Sequence, residues 1–324
     1  MSQSEAEDAF LASAREALRR DPGIASLDTL GVWDLLDELA DGESRTAMFA
    51  VFRAHGRELG RSAALGCLMA HPYVAGDGFA PGSVALAIPR RSARRGETFI
   101  LLGEPSIEHV LLDRPGFGAS LVPIDDLVLQ PVAIPGRLPL HEIAFDGANG
   151  ASHVIPEQRA KGARPRSAFL GRVAAAYELV GAAEGALDAA LAHAATRVQF
   201  GKPIGSFQAV RHLLAWARTD CAAALEVSRQ AAALDLAAPS RFDEIAKALA
   251  GRNGRRVCER SLQVLGGIGF TAEQDHHHFH SRVLALDSVL GTSAELARGL
   301  GAWLRESRTD PRIPMQILHR GVGS

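Results

Sequence analysis

The C-terminal half restricts the fold of this chain most, because alanine and leucine dominate it from Ser167 onward. "SAFLGRVAAAYELVGAAEGALDAALAHAATR" reads as one long helix built on the strongest helix former. "FQAVRHLLAWARTDCAAALEVSRQAAALDLA" reads as a second and "RFDEIAKALAGRNGRRVCERSLQVLG" as a third. A last helix covers about Ser293 to Glu306. Pro239 ends the second helix and Ser240 caps the third. Two glycine-rich corners punctuate the series: "RVQFGKPIGSFQ", Arg197 to Gln208, and Gly266 to Gly269. Four long helices in succession predict an antiparallel bundle.

The rest of the chain has two other textures. "DAFLASAREALRR" carries apolar residues at helical spacing and stops before Asp21-Pro22-Gly23. "LGVWDLLDELA" and "TAMFAVFRAHGRELGRSAALGCLMA" continue the helical pattern. From about Gly82 to Gly150 the runs become short and rich in β-formers: "SVALAIP", "TFILLGE", "EHVLLD", "ASLVPID", "LVLQPVAI" and "LHEIAFDG". Gly, Pro and Asp separate them closely, which predicts a small antiparallel sheet or barrel and not βαβ units. The expected organisation is mainly α: an N-terminal helical domain (1–75), a reduced β domain (76–155), a C-terminal four-helix bundle (156–310) and a loose tail (311–324).

Composition narrows the functional classes. A formal net charge of −2 provides no basic field for nucleic acid. Cys67, Cys221 and Cys258 form no CxxC pair, so neither a disulfide framework nor a zinc knuckle is expected, and a reducing cytoplasm fits. The start, "MSQSEAEDAF", lacks the features of a signal peptide, and no apolar run is long enough to suggest a membrane span.

The first corner can carry chemistry. Its glycines expose backbone N–H groups and the following helix offers a positive end, both suited to phosphate. Arg197 can add a bidentate phosphate contact, Gln199 and Gln208 can bond a ribose or base, and Phe200 and Phe207 can stack. The same residues also read as a plain connector with buried Phe side chains. "QVLGGIGF", Gln263 to Phe270, is by itself an ordinary helix C-cap.

The two corners, about 60 residues apart, are more specific together than either alone. "RVQFGKPIGSFQAVRHLLA" resembles the "RxxFGxxIxxFQ" segment of the acyl-CoA dehydrogenases. "LQVLGGIGFTAEQDHHHFHSR" resembles their "QxxGGxGFTxExxxxxxxR" segment, and "LGTSAEL" resembles the stretch that follows it. The resemblance extends strongly from about Ser167 to Leu304 and traceably from Leu30 to Gly150. It implies the acyl-CoA dehydrogenase-like fold, FAD as cofactor and an acyl-CoA substrate. It also implies FAD contacts at Arg197, Gln199, Phe200, Phe207, Gln208, Gln263, Gly267 and Thr292, some reaching a flavin in a neighbouring subunit, so at least a dimer is expected. Arg172 is implied as a support for substrate or its CoA phosphates; its plain alternative is a helix salt bridge.

Departures from the family pattern concern the catalytic base. Most members carry a Glu just before Gly-Thr; here that slot holds Leu290, or Gly291 if the alignment slips. The minority position, a Glu directly before an Arg in the first bundle helix, reads Gly171-Arg172. Asp287 and Glu295 are the nearby carboxylates that could substitute as base, Asp287 being the candidate kept, but Asp287 better suits a cap of the preceding turn and Glu295 a cap or charge on the last helix. The β domain offers no convincing match to the segments that hold the flavin ring. Some actinobacterial members are α2β2 heterotetramers in which one chain lacks the base, and "ALDSVLG" resembles that chain. The expectation is therefore a flavoprotein subunit with a related partner chain. A self-sufficient homo-oligomer with an atypical base and a flavin-free scaffold are the alternatives. Finally, "DHHHFHSR" could bring His276 and His280 to one side of a helix, but it reads as a partly exposed polar turn, not a metal site.

Overall fold

The structure, a computed structural model, describes residues 3–90, 97–134, 136–145, 150–234 and 241–307. The N-terminal part contains α1 (Gln3–Arg20), α2 (Ala25–Thr29), α3 (Gly42–Arg57) and α4 (Ala64–Val74). The stretch expected to continue as helix after α2 is only a short 3-10 segment, Val32–Leu36. Gly31 enters it in the left-handed conformation (φ 65°), and Val32, Trp33 and Leu36 are all buried. The stretch expected to run unbroken from α3 into α4 is interrupted at residues 58–63, where Leu59 is left-handed (φ 54°). That break turns the Gly60 carbonyl and the Ser62 hydroxyl inward, onto Arg282 and His55.

The middle part is a seven-stranded sheet in the order β5-β6-β2-β1-β3-β4-β7. The strands are β1 (Val84–Pro89), β2 (Glu97–Leu102), β3 (His109–Arg114), β4 (Gly118–Pro123), β5 (Leu129–Pro131), β6 (Leu140–Phe145) and β7 (His153–Ile155). All pairings are antiparallel except β1 with β3, which run parallel. The purely antiparallel expectation is corrected there. β1 pairs with β2 at Ile88 and Pro89 and spends Val84 to Ala87 on β3, so the sheet opens into two wings hinged at the end of β1.

Helix α5 (Glu157–Thr196) begins ahead of the expected start near Arg166 and carries Pro165 inside it. Proline removes a ladder donor, and this first section is anchored by Arg164, which donates to Glu157 (2.7 Å) and to both oxygens of Asp113 (2.8 Å). A two-residue β-ribbon, β8 (Val198–Gln199) with β9 (Lys202–Pro203), forms the first corner. Then follow α6 (Gln208–Ala233), α7 (Phe242–Leu265), α8 (His276–Ser288) and α9 (Ser293–Ser307). Pro239-Ser240 and the tail from residue 311 lie outside the described residues. The histidine-rich run is not a turn but the start of α8. His276, Phe279, Val283 and Leu286 are buried at helical spacing, with Arg282 beside them. A stripe that begins with His does not read as apolar, which hides the helix from pattern reading.

One apolar cluster runs from Leu11 through the sheet to Val289, so helices and sheet share a core. α3 and α5 cross at near-contact of their backbones: a Cβ on Gly56 would strike the Glu178 carbonyl, and one on Gly181 the Arg53 carbonyl. Gly162, also in α5, has no such neighbour within 4 Å. Gly181→Ala should therefore destabilise by about 1–3 kcal/mol through overpacking, whereas Gly162→Ala should stabilise by about 0.5–1 kcal/mol. Urea unfolding of the two variants checks the opposite signs.

Candidate functional site

A cavity of ≈ 580 Å³ opens between the sheet and the helical unit. Ile88, Ile100, Leu102 and Leu140 form its sheet wall; Ala285, Val289 and Leu290 form the opposite one. The two positions at which the family resemblance would place a base meet here. A Cβ on Gly171 would lie 2.7 Å from Leu290 Cδ1 and 2.7 Å from Met69 Sδ. Among the described residues, the ionisable ones on the wall are Arg90 and Arg172, and no carboxylate joins them.

The loop that carries Leu290 is held from behind. Leu290 is left-handed (φ 58°), a conformation that costs a Cβ-bearing residue roughly 1–2 kcal/mol. Arg172 donates from Nε to the Leu290 carbonyl (3.2 Å) and from Nη1 to Asp243 on α7 (2.9 Å). Lys247 Nζ, fully buried, donates to the carbonyls of Asp287 (3.1 Å) and Gly291 (3.2 Å). Thr292 and Glu295 form a capping box at the start of α9: Thr292 Oγ1 accepts from Glu295 N–H (3.1 Å), and Glu295 Oε2 accepts from Thr292 N–H (2.9 Å). The expected capping role of Glu295 takes this form.

Asp287 does not cap the preceding turn as expected; it caps the following helix. Its carboxylate accepts from Ser293 N–H (3.0 Å) and Ser293 Oγ (3.1 Å) and pairs with Arg255 (3.3 Å). It is 4 % exposed and lies off the cavity wall. Arg172 combines an inter-helix ion pair with a place on the wall. Burial raises the Asp243 carboxyl pKa, and the Arg172 hydrogen bond opposes it. Lys247 and Asp243 were not singled out from the sequence; only their positions beneath the loop mark them.

The glycine corners form a second locus. Ile204 of the first and Ile268 of the second pack on one small cluster of Ala190, Ala194, Val264 and Leu265. This brings segments distant in sequence onto one end of the bundle. Phe200 (φ 53°) and Gly201 (φ 79°) make the ribbon turn, with Phe200 90 % exposed. Phe207 is half-buried, edge-on to Phe200 at 6.1 Å, with the Lys202 ammonium 4.6 Å from its ring centre. Arg197, Gln199, Gln208 and Gln263 are exposed, and Gly267 faces open space. Thr292 belongs instead with the cavity loop, its hydroxyl engaged by Glu295. In α8, His276 Nε2 lies 2.8 Å from the Cys258 carbonyl, and the His280 ring is 6.1 Å from that of His276. Among the described residues no three His, Cys, Asp or Glu side chains group as a metal site, and no helix is long and apolar enough to cross a membrane.

Residues 167–304 match the family model for the acyl-CoA dehydrogenase C-terminal domain. Acyl-CoA dehydrogenase FadE34 of Mycobacterium tuberculosis is 32% identical over 223 residues, which is 67% of this chain and 29% of FadE34. The chain thus spans less than a third of that curated relative. Among solved structures, a Tcur3481-Tcur3483 steroid ACAD variant superposes with TM-score 0.77 at 20% identity, over 95% of this chain and 100% of that one. The ChsE4-ChsE5 complex from Mycobacterium tuberculosis gives TM-score 0.71 at 20% identity, over 94% and 99%. At such identities the structures speak for the fold alone. Residues 167–304 thus form a C-terminal domain of the acyl-CoA dehydrogenase family.

Burial pushes the Lys247 ammonium pKa down to about 8, against the pull of Asp287. In the unfolded chain it returns to its ordinary 10.5. Between these values the unfolded state binds more protons, so stability rises with pH across that window. The full rise from this group is roughly 3 kcal/mol. Lys247→Met should remove that part of the slope, read by urea midpoints at pH 7 and pH 9.5.

Proposed function

We propose that this chain is one subunit of an FAD-dependent acyl-CoA dehydrogenase, in which a related partner chain supplies the base that removes the substrate α-proton. The observation that carries this reading is the closeness of Gly171 to Leu290, which lines a largely aliphatic cavity on whose wall no described residue places a carboxylate. Such a reaction needs a carboxylate placed at the proton it abstracts. Asp287 is a poor substitute, because its oxygens already serve Ser293 and Arg255.

The exposed corner fits the nucleotide end of FAD. Arg197 offers a guanidinium to a pyrophosphate, Gly267 leaves room for close backbone approach, and Phe200 presents an open aromatic face. Gln199, Gln208 and Gln263 stand beside them as polar partners, and Phe207 backs Phe200. Thr292 would meet the cofactor from the cavity side. FAD, when bound, supplies hydride acceptance, and this chain's residues bind and orient it across a subunit boundary. One structural neighbour, ChsE4-ChsE5, is itself a complex.

Purified alone, the chain should be nearly colourless and inert toward acyl-CoA. Co-purified with a longer related chain that carries a Glu, it should be yellow and active. Arg197→Ala together with Phe200→Ala should lower the flavin content of the complex, measured by visible absorbance. A lone chain fully loaded with FAD and active would overturn the split-site reading.

A further inference from the structure

We propose that a pocket at the end of α4 binds a small organic ammonium ion, a cationic nitrogen carrying an aryl or short alkyl group, through Asp37 and His71. This goes beyond the dehydrogenase reading and does not rest on it. The pocket shares no lining residue with the cavity beside Leu290, and its use requires neither flavin nor a partner chain.

Three observations carry the inference. First, a cavity of ≈ 340 Å³ lies where the end of α4 and the loop 75–83 meet the 3-10 segment, a size that suits one small ligand. Leu36, Val74, Phe79, Pro81 and Val84 give it apolar walls, and the Phe79 ring lies edge-on to the rings of His109 (5.3 Å) and His153 (6.1 Å). Gly82 is left-handed (φ 79°), and a Cβ there would strike the Trp33 ring, so the loop closes tightly on the helical side. Second, the charge of the wall is one-sided: among the described residues its ionisable groups are Asp37, His71 and Cys67, with no Lys or Arg. The Cys67 thiol is spent on the Gly82 carbonyl (3.3 Å). Third, His71 Nε2 and Asp37 Oδ1 stand 4.0 Å apart, and neither side chain makes a hydrogen bond or another ion pair among the described residues. The gap is too long for a hydrogen bond between them and fits one ammonium that donates to both at about 2.9 Å. Burial holds the His71 imidazole below its ordinary pKa, helped by the charge of Arg166 and opposed by that of Asp37, so at neutral pH the ring is uncharged and Nε2 can accept. The His71 side chain is 14% exposed and that of Asp37 74%, which puts the imidazole inside the pocket and the carboxylate at its mouth. A hydrocarbon group on the bound nitrogen then lies against Phe79 and the aliphatic walls.

The test uses the full chain and three probes of similar shape, 2-phenylethylammonium, 2-phenylethanol and 3-phenylpropionate, titrated calorimetrically at neutral pH and low salt. The ammonium should bind about tenfold or more tightly than the alcohol, the contribution of a charge-assisted hydrogen bond, and the carboxylate more weakly than either. Asp37→Asn, at an exposed position, keeps the shape of the mouth without its charge and should bring the ammonium and the alcohol to equal affinity. His71→Leu removes the second acceptor and should weaken the ammonium about tenfold. Ala80→Trp, at an exposed wall position, should fill the pocket and abolish binding while leaving Asp37 and His71 in place. Equal binding of ammonium and alcohol by the unaltered chain overturns the role of Asp37, as does a preference that survives Asp37→Asn. Unchanged ammonium affinity in His71→Leu overturns the role of His71. Failure of the ammonium to bind, or binding that persists in Ala80→Trp, overturns the pocket as the site. Each result is read without flavin, so it is independent of whether the chain joins a dehydrogenase.

Discussion

The parts of this structure meet at a single buried guanidinium. Arg282 of α8 is 0% exposed. It donates from Nη1 to Glu178 of α5 (3.2 Å) and to the His55 carbonyl of α3 (3.3 Å), and from Nη2 to the carbonyls of Gly60 and Arg137 (3.2 Å for the latter). His55 in turn bridges Glu178 (3.1 Å) and Ser62 (3.0 Å). Burial works to raise the Glu178 pKa, yet the charges of His55 and Arg282 outweigh it and hold the carboxyl below its ordinary value. Removing one partner of such a buried set costs about 3–5 kcal/mol, because a charge is then left uncompensated. The network ties the N-terminal helices, the 137 loop and the bundle together, and so fixes the sheet wall against the α8 wall of the cavity.

The cavity loop shows how a site can keep its frame while lacking its reactive group. Arg172, Lys247, Asp287 and the Thr292–Glu295 box hold residues 287–292 by backbone groups, not through the side chain at 290. Leu290 can therefore occupy a left-handed position without the loop collapsing, and its methyl fills the space above Gly171. The charges beneath the loop alternate: Arg172 with Asp243, and Lys247 and Arg255 with Asp287. That arrangement keeps the ionisable groups behind the loop satisfied and leaves Arg90 and Arg172 as the charged described residues of an otherwise largely aliphatic wall.

Much of the fold was legible because helical spacing and β-rich runs are local signals. α5, α6, α7 and α9 and the strands β1 to β4 and β6 follow directly from them. α8 was not legible, since its buried stripe opens with His276 and includes a charged Arg282 whose partners lie over 100 residues away. The parallel pairing of β1 with β3 was hidden because strand order is set by sheet closure and not by residue type. The break after α3 escaped notice for a related reason: "GRELGRSA" remains helix-compatible until Gly60 must offer its carbonyl to Arg282. At the candidate site, the sequence marked Gly171, Arg172, Leu290 and the two corners, but not Lys247 or Asp243.

Composition and spacing alone determined the sequence of helical, β and helical segments, the glycine corners with their Arg, Gln and Phe, and the lack of a carboxylate at 171 and 290. These are properties of residues and their near neighbours, and elementary propensities read them. Tertiary structure alone decided that Gly171 and Leu290 face each other, that Ile204 and Ile268 share one cluster, and that Lys247 lies buried beneath the loop. Those facts depend on burial, and burial is a property of contacts between distant parts of the chain, which no local pattern encodes.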